Sequence, residues 1–144
     1  MRVEPDLRAW ADGEAANAGW FADALGVPPE VYGRDPASLV PTLQDYVSRA
    51  PFAEFEQSDW ITLHADLMSY VADHLVRTYQ ARWNVVIDDA SPRGYRYVVE
   101  AAGRDGRSRR LDPARLVGDE LSGLPLDITR LLTRAEAALG LSGD

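Results

Sequence analysis

The chain has 144 residues, of which 46% are apolar and 26% charged, and it contains no cysteine; it is long enough to bury a core without disulfides, and thiolate metal sites are excluded. All fifteen basic residues are arginines, which excludes Schiff-base chemistry and the lysine of a P-loop. A net charge of −8 disfavours binding to nucleic acid or to anionic membranes, because both need a basic surface. We expect a cytoplasmic protein with no membrane segment and no cofactor.

The negative charge is concentrated in the first half of the chain. Residues 1–75 carry 13 acidic residues and 4 arginines, a net charge of −9, whereas residues 76–144 carry 10 acidic residues and 11 arginines, a net charge of +1. This acidity either serves solubility alone or docks a basic partner. With no repeat and no linker, we expect one domain over 1–144, with an acidic helical region over 1–57 and a core over 58–144.

Helical signals dominate the acidic region. Apolar residues at helical spacing predict a first helix over Asp6–Leu25. Two prolines and a glycine within 28–33 predict a loop. Asp35 precedes a proline, as an N-cap residue does, and a second helix is expected over about Leu39–Arg49.

The strongest helical pattern in the chain is predicted over Asp59–Gln80, with Ser58 as its N-cap. Its apolar stripe should face the core, and His64 falls within that stripe. The opposite side is polar and is expected to face solvent. Three aspartates recur on that side at seven-residue spacing: Asp59, Asp66 and Asp73.

After this helix the residue period changes from 3.6 to 2, which indicates strands. The strands are predicted at about 83–89, 95–102 and 107–111. The residues expected to face the core are Trp83, Val85, Ile87, Tyr95, Tyr97 and Val99. Val85 then opposes Val99 and Ile87 opposes Tyr97, which leaves a five-residue loop over 90–94. Leu111 joins the same face opposite Val99. The pattern predicts an antiparallel meander.

The second hairpin should turn at Arg104–Gly106, because a three-residue turn favours glycine at its last position. Three arginines follow the turn: Arg107, Arg109 and Arg110. They either protect an edge strand from pairing with other chains or form a ribbon that reaches phosphate groups.

Two further helices are predicted after the sheet. Asp112 and Pro113 have the N-cap and N1 pattern for a helix that reaches about Leu121, and Pro125 begins another that reaches about Leu139. The expected fold is α+β, with N-terminal helices and two C-terminal helices packed on a three-stranded antiparallel sheet.

Few residues point to catalysis or metal binding. His64 is either a hydrogen-bonded core histidine or a catalytic base acting with Asp66 or Asp88. Ten residues separate it from His74, which is about 15 Å along a helix, so the two cannot share a metal ion. Asp88 and Asp89 form either a carboxylate pair or the polar start of a turn.

One sequence pattern resembles a known family. A helix, a Trp-x-x-Val-x-Asp strand formed by Trp83, Val86 and Asp88, a meander and an Asp-Pro helix are similar to an uncharacterised family of small bacterial α+β domains. The resemblance covers about residues 59–139 and implies no activity. The lysine-free, arginine-rich composition is similar to that of actinobacterial proteins.

These observations favour a non-enzymatic protein-binding or adaptor module, such as an immunity-type inhibitor or an accessory factor. The candidate docking residues are Asp59, Asp66, Asp73, Arg107, Arg109 and Arg110. One alternative is a small hydrolase or metal-dependent enzyme that uses His64. Another is a structural homo-oligomer, in which the acidic half of one copy contacts the arginine-rich hairpin of the next.

Overall fold

The protein is described by a computed structural model for residues 6–142. Within that range the fold is α+β, as predicted, with a three-stranded antiparallel sheet among six α-helices. The helices are α1 (Leu7–Ala24), α2 (Pro29–Arg34), α3 (Val40–Arg49), α4 (Gln57–Tyr79), α5 (Pro113–Leu121) and α6 (Ile128–Ala138). The strands are β1 (Arg82–Ile87), β2 (Tyr95–Ala102) and β3 (Ser108–Leu111). None of the helices in this range combines the length and the apolarity needed to cross a bilayer.

The acidic region contains one helix that the sequence pattern did not indicate. Helix α1 is confirmed, and the side chain of Asp6 caps it by accepting the amide of Ala9. The predicted loop over 28–33 is wrong, because α2 begins there with Pro29 in its first turn, where a missing N–H costs nothing. Tyr32, which is 2% exposed, anchors this short helix to the core.

Helix α3 is confirmed, and a 3-10 turn over Pro36–Leu39 leads into it. Asp35 accepts the amide of Ala37, so it is an N-cap as predicted.

Helix α4 begins with a different cap from the one predicted. Glu56 is the N-cap residue, and it forms a reciprocal capping box with Asp59, which accepts the backbone amide of Glu56 at 2.9 Å. The prediction of Ser58 as the cap is therefore wrong. The helix ends at Tyr79, followed by Gln80 in the left-handed conformation with φ of 57°.

The second half of α4 is buried on every side. All seven side chains from Ser69 to Leu75 are buried. This stretch contacts α1, α2, α6 and the 3-10 turn at Pro36–Leu39. The prediction that the aspartate side of the helix faces solvent is correct at Asp59 but wrong at Asp66, which is half-buried, and at Asp73, which is 5% exposed.

The sheet has the predicted strand order, and half of its register is confirmed. Val99 pairs with Leu111, and the turn after β2 closes through the amide of Gly106, whose φ is 82°. The register between β1 and β2 is shifted by two residues from the prediction, because Trp83 pairs with Val99 and Val85 with Tyr97. A shift of two keeps every side chain on its predicted face. The prediction that Ile87 faces the core is nevertheless wrong, because this last residue of β1 is 62% exposed.

The longer loop between β1 and β2 explains the shift. Asp88 donates its amide to Gly94 and accepts the amides of Ala90 and Ser91, through its side chain and its carbonyl respectively. These bonds hold seven residues, 88–94, between the strands, and Ser91 adds a hydroxyl bond to the carbonyl of Tyr95.

The C-terminal helices are capped by aspartates. Asp112 caps α5 as predicted, by accepting the amide of Arg115. Helix α6 begins at Ile128 rather than at the predicted Pro125, because Asp127 is its N-cap residue. The side-chain amide of Gln44 in α3 holds this start: it donates to the carbonyl of Leu126 at 3.1 Å and accepts the amide of Ile128 at 2.8 Å.

Candidate functional site

The candidate site is an open cleft on one side of the first half of α4, which we call the His64 cleft. Two adjoining cavities form it, of about 380 Å³ and 580 Å³, and both are lined by Ile61 and His64. The smaller cavity extends towards Trp10 of α1, the start of β2 and the loop before it. The larger one extends over Trp60 to Leu121 at the end of α5. Each has the size of a small-ligand or side-chain pocket.

Stacked aromatic rings form one wall of the cleft. Trp10 lies flat on Tyr97, with ring centroids 3.8 Å apart and an angle of 4° between the planes. Tyr95 meets Tyr97 edge-on at 5.6 Å, and Arg93 lies 5.9 Å from the centroid of the Tyr95 ring. The indole nitrogen of Trp10 is buried and has no hydrogen-bond partner among residues 6–142. This wall is a rigid apolar surface.

The ridge between the two cavities is apolar and open to solvent. Ile61 is 61% exposed, although it belongs to the apolar stripe of α4. Its neighbour Trp60 is held from below by Phe52 and Phe55, at ring-centroid distances of 5.2 Å and 4.9 Å. Ile61 is therefore an exposed apolar side chain next to a packed aromatic cluster.

The polar groups of the cleft already bind one another. His64 Nε2 lies 2.7 Å from the carbonyl oxygen of Ala114, which requires a proton on Nε2 because a carbonyl oxygen only accepts. Arg96 lies 3.3 Å from Asp112 and 3.3 Å from Asp88. Ser91 is bound to the backbone of β2.

The predicted catalytic combinations do not come together. His64 is hydrogen-bonded to Ala114, Asp66 accepts a hydrogen bond from Asn17, and Asp88 forms an ion pair with Arg96. His64 is also only half-buried, so the expectation of a core histidine holds for its hydrogen bond and fails for its burial. Among residues 6–142 no cluster of three or more acidic or histidine side chains has metal-binding geometry.

His74, unlike His64, is buried, with 6% of its surface exposed. Its Nε2 lies 3.2 Å from Glu136, which also accepts the hydroxyl of Tyr79 at 2.5 Å. The hydrogen bond to Glu136 raises the pKa of Tyr79 to about 12. These three groups connect α4 with α6 inside the protein.

Two of the three aspartates proposed for docking bind other helices of the same chain. Asp66 accepts from Asn17 of α1 at 3.1 Å. Asp73 accepts the hydroxyl of Tyr32 at 2.6 Å and the guanidinium of Arg77 at 2.8 Å. Burial, together with the hydrogen bond to Asp73, raises the pKa of Tyr32 above its usual range. Of the three, only Asp59 remains on the surface.

Helix α1 also contacts α4 through a half-buried carboxyl group, that of Glu14. The hydroxyl of Ser69 donates to Glu14 and accepts from Asn17 at 2.9 Å. Burial raises the pKa of Glu14, and the bond from Ser69 opposes that shift. Polar residues that a helical wheel places outside therefore join α4 to α1.

The hairpin arginines are mostly paired within the chain. Arg109 contacts Asp105 at 2.6 Å and holds the pKa of that carboxyl at about 2, and Arg110 contacts Glu100 at 2.8 Å. Arg107 is exposed and has no ion-pair partner in the described range.

A larger cavity, of about 760 Å³, lies between α3 and the segment before α6. Its polar side chains are already bound: Gln44 holds the start of α6, and Arg130 pairs with the buried Glu120 at 3.2 Å. It offers fewer aromatic contacts than the His64 cleft, so we do not choose it as the site.

Sequence reasoning missed the aromatic wall and the exposed ridge. Trp10 and Tyr97 lie far apart in the chain, and no local pattern indicates that they stack. Ile61 was placed in the core because its spacing fits the apolar stripe. A comparison with protein-family models, with curated proteins and with solved structures finds no match for this chain.

Proposed function

We propose that the protein is a non-enzymatic binding module, of the adaptor, immunity-type or accessory-factor class, whose His64 cleft receives an apolar side chain of a protein partner. The observation that carries the proposal is the exposed ridge at Ile61 between two cavities, next to the Trp10 and Tyr97 stack. The centre of a protein interface is rich in apolar and aromatic side chains, as this part of the cleft is.

The bonding of the polar groups supports binding rather than catalysis. His64, Arg96 and Asp112 are held by hydrogen bonds or ion pairs within the chain. A hydrolytic site needs a nucleophile within hydrogen-bond reach of a base. The hydroxyl of Ser91 instead binds the carbonyl of Tyr95, and that of Ser122 binds the carbonyl of Gly118.

The charge at one end of the cleft indicates the chemistry of the partner. Three exposed carboxylates lie immediately before α4 and in its first turn, next to Trp60: Glu54, Glu56 and Asp59. A partner with basic residues beside its apolar side chain would be attracted to this end. This acidic end keeps Asp59 as a docking residue and replaces the role proposed for Asp66 and Asp73. The proposal also keeps the cytoplasmic location and the bacterial, actinobacterial origin that the composition indicates.

Site-specific photocrosslinking tests this function. A benzophenone amino acid at position 61 should crosslink a discrete polypeptide in lysate of the host cells, and excess unlabelled protein should compete for it. The same probe at position 20 is the matched control, because Trp20 is 71% exposed on α1, away from the cleft. Ile61→Asp protein should fail to compete, since a carboxylate would be desolvated in the contact.

Two results would contradict the proposal. One is the same crosslinked polypeptide, at similar yield, from positions 61 and 20. The other is full competition by folded Ile61→Asp protein. Higher salt should slow association with the captured partner if the acidic end attracts it, because screening shortens the range of the charges.

A further inference from the structure

Strand β1 is an edge of the sheet, and its outward backbone groups can be identified. Asp88 donates its amide to the carbonyl of Gly94, and this pair continues the register of the two strands just beyond their ends. Even-numbered residues of β1 therefore point their amides towards β2. The amides and carbonyls of Trp83, Val85 and Ile87 therefore point away from the sheet. The amide of Val85 is bound by the side chain of Asn84 at 2.8 Å, and those of Trp83 and Ile87 have no partner in the described part of the chain.

This edge has little of the protection that natural edges carry. Lysine, proline and bulges usually prevent an edge strand from pairing with another chain. The four residues 84–87 are uncharged and free of proline, and Ile87 is 62% exposed. Charges stand only at the two ends, as Arg82 and Asp88.

We propose that β1 pairs with β1 of a second copy of this chain, antiparallel and about a two-fold axis at Val85. The two three-stranded sheets then form one six-stranded sheet. The occupant is a second copy because the strand is complementary to itself in this register, in hydrogen bonding and in charge. The inference is independent of the function proposed for the His64 cleft.

The register follows from the outward groups. With Val85 opposite the partner's Val85, Trp83 lies opposite the partner's Ile87, and all three outward residues of each strand are paired. The exposed Ile87 then packs beside an aromatic ring, which is a favourable cross-strand pair. A shift of the axis by one residue leaves an outward residue of each strand without a partner.

The same register pairs opposite charges. Arg82 lies opposite the partner's Asp88, and Asp88 opposite the partner's Arg82, so both ends of the new ladder are closed by an ion pair. Asp88 is accessible for this contact, with its side chain 34% exposed, and Arg82 is exposed. Other registers along the strand separate these two charges.

The dimer should be weak and reversible. Pairing exchanges the bond between Val85 and Asn84 for one to the partner, so the gain comes mainly from the ends of the strand and from burial of Ile87. One strand pair buries less than the roughly 1,200–2,000 Å² of a standard interface. We expect dissociation constants of roughly 10–500 µM, which dilution experiments can cover.

The experiment is sedimentation equilibrium over about 5 µM to 1 mM, with amide exchange measured at both ends of that range. The wild-type protein should dimerise. The amides of Trp83, Val85 and Ile87 should become protected as concentration rises, while those of Asn84 and Val86 should not change. Protection confined to the three outward amides indicates pairing at this edge, whereas association through another surface would leave all five amides unchanged.

Two variants test the ladder. Val85→Pro removes an outward donor and leaves the bonds to β2 intact, so the folded variant should stay monomeric. Ile87→Lys, at a position already exposed, is the second variant in case the first does not fold, and should also be monomeric.

A charge exchange tests the register. Arg82→Glu should weaken the dimer about tenfold, because it places two carboxylates opposite each other, and Arg82→Glu with Asp88→Arg should recover most of that loss. Arg107→Glu changes the net charge equally on the far hairpin and should leave the dimer unchanged. The proposal is overturned by a wild-type monomer at 1 mM, by a dimer that survives both Val85→Pro and Ile87→Lys, or by equal effects of Arg82→Glu and Arg107→Glu.

Discussion

The two halves of α4 share one hydrophobic pattern and have opposite environments. In the first half, up to Met68, one side of the helix borders the open His64 cleft, and Ile61 on that side is 61% exposed. In the second half, from Ser69 to Leu75, every side chain is buried. The same helical spacing runs through both halves, so what differs is how completely the rest of the chain packs around the helix.

The aspartates of α4 make this difference measurable. Asp59, Asp66 and Asp73 occupy the same position of a seven-residue repeat and become progressively more buried along the helix. Asp59 completes the capping box with Glu56, Asp66 binds α1 and Asp73 binds α2 through Tyr32. A position on a wheel therefore indicates which residues share a side, and the rest of the chain decides whether that side meets water.

The largest difference between the halves should appear when aliphatic side chains are truncated. Leu75→Ala should lower the free energy of unfolding by about 2–5 kcal/mol, because Leu75 is 0% exposed and its loss leaves a cavity. Ile61→Ala should change it by no more than about 0.5 kcal/mol, as at an exposed position. Urea denaturation of both variants measures the two values, and similar losses would contradict the contrast.

The two end aspartates should differ in the same direction by a smaller amount. Asp73→Ala should cost about 2–4 kcal/mol, since it leaves the buried Tyr32 hydroxyl without its acceptor and Arg77 without its partner. Asp59→Ala removes one half of the capping box and should cost about 1 kcal/mol. Tyr32→Phe is the control: combined with Asp73→Ala it should add little, and fully additive losses would show that the two groups do not act through their shared bond.

The smallest effect concerns the pH dependence of the contact between α1 and the buried half of α4. Burial raises the pKa of Glu14 in the folded state above the usual 4.5. Well below pH 4.5 the carboxyl is protonated in both the folded and the unfolded state. Between pH 4.5 and the raised pKa it ionises more readily in the unfolded state, so the free energy of unfolding falls as pH rises through this window. Glu14→Gln should therefore gain melting temperature relative to the wild type between pH 4 and pH 7. Part of the Glu14 side chain reaches solvent, so the gain should be slight. A fall in the melting temperature of Glu14→Gln relative to the wild type over that range would contradict a raised pKa for Glu14.

Local signals were sufficient for most of the fold. Caps at Asp35 and Asp112, the hairpin glycine at 106 and the alternation in the strands correctly predicted α3, α5 and the antiparallel meander. The register of β1 was wrong by two because alternation is unchanged by such a shift, and loop length alone cannot decide it. The bonds of Asp88 that fix the seven-residue loop are not visible in the sequence.

The candidate site was predicted much less completely. His64 stood out as a residue type with chemistry, but its partner is a backbone carbonyl, which no sequence pattern reports. The aromatic wall joins Trp10 to Tyr97, and contacts over such separations depend on how α1 lies against the sheet. Glu56 was overlooked as a cap because serine is the commoner residue there.

The two hydrogen bonds between the Gln44 side chain and the start of α6 affect the order in which the chain folds during synthesis. The two backbone partners of Gln44 lie 82 and 84 residues further along the chain, so α3 leaves the ribosome long before they exist. Contacts of such separation close large loops and slow folding relative to a bundle of neighbouring helices. The acidic half of the nascent chain therefore keeps part of its apolar surface exposed until α6 has been synthesised and the side-chain amide of Gln44 can bond to the backbone at the start of α6.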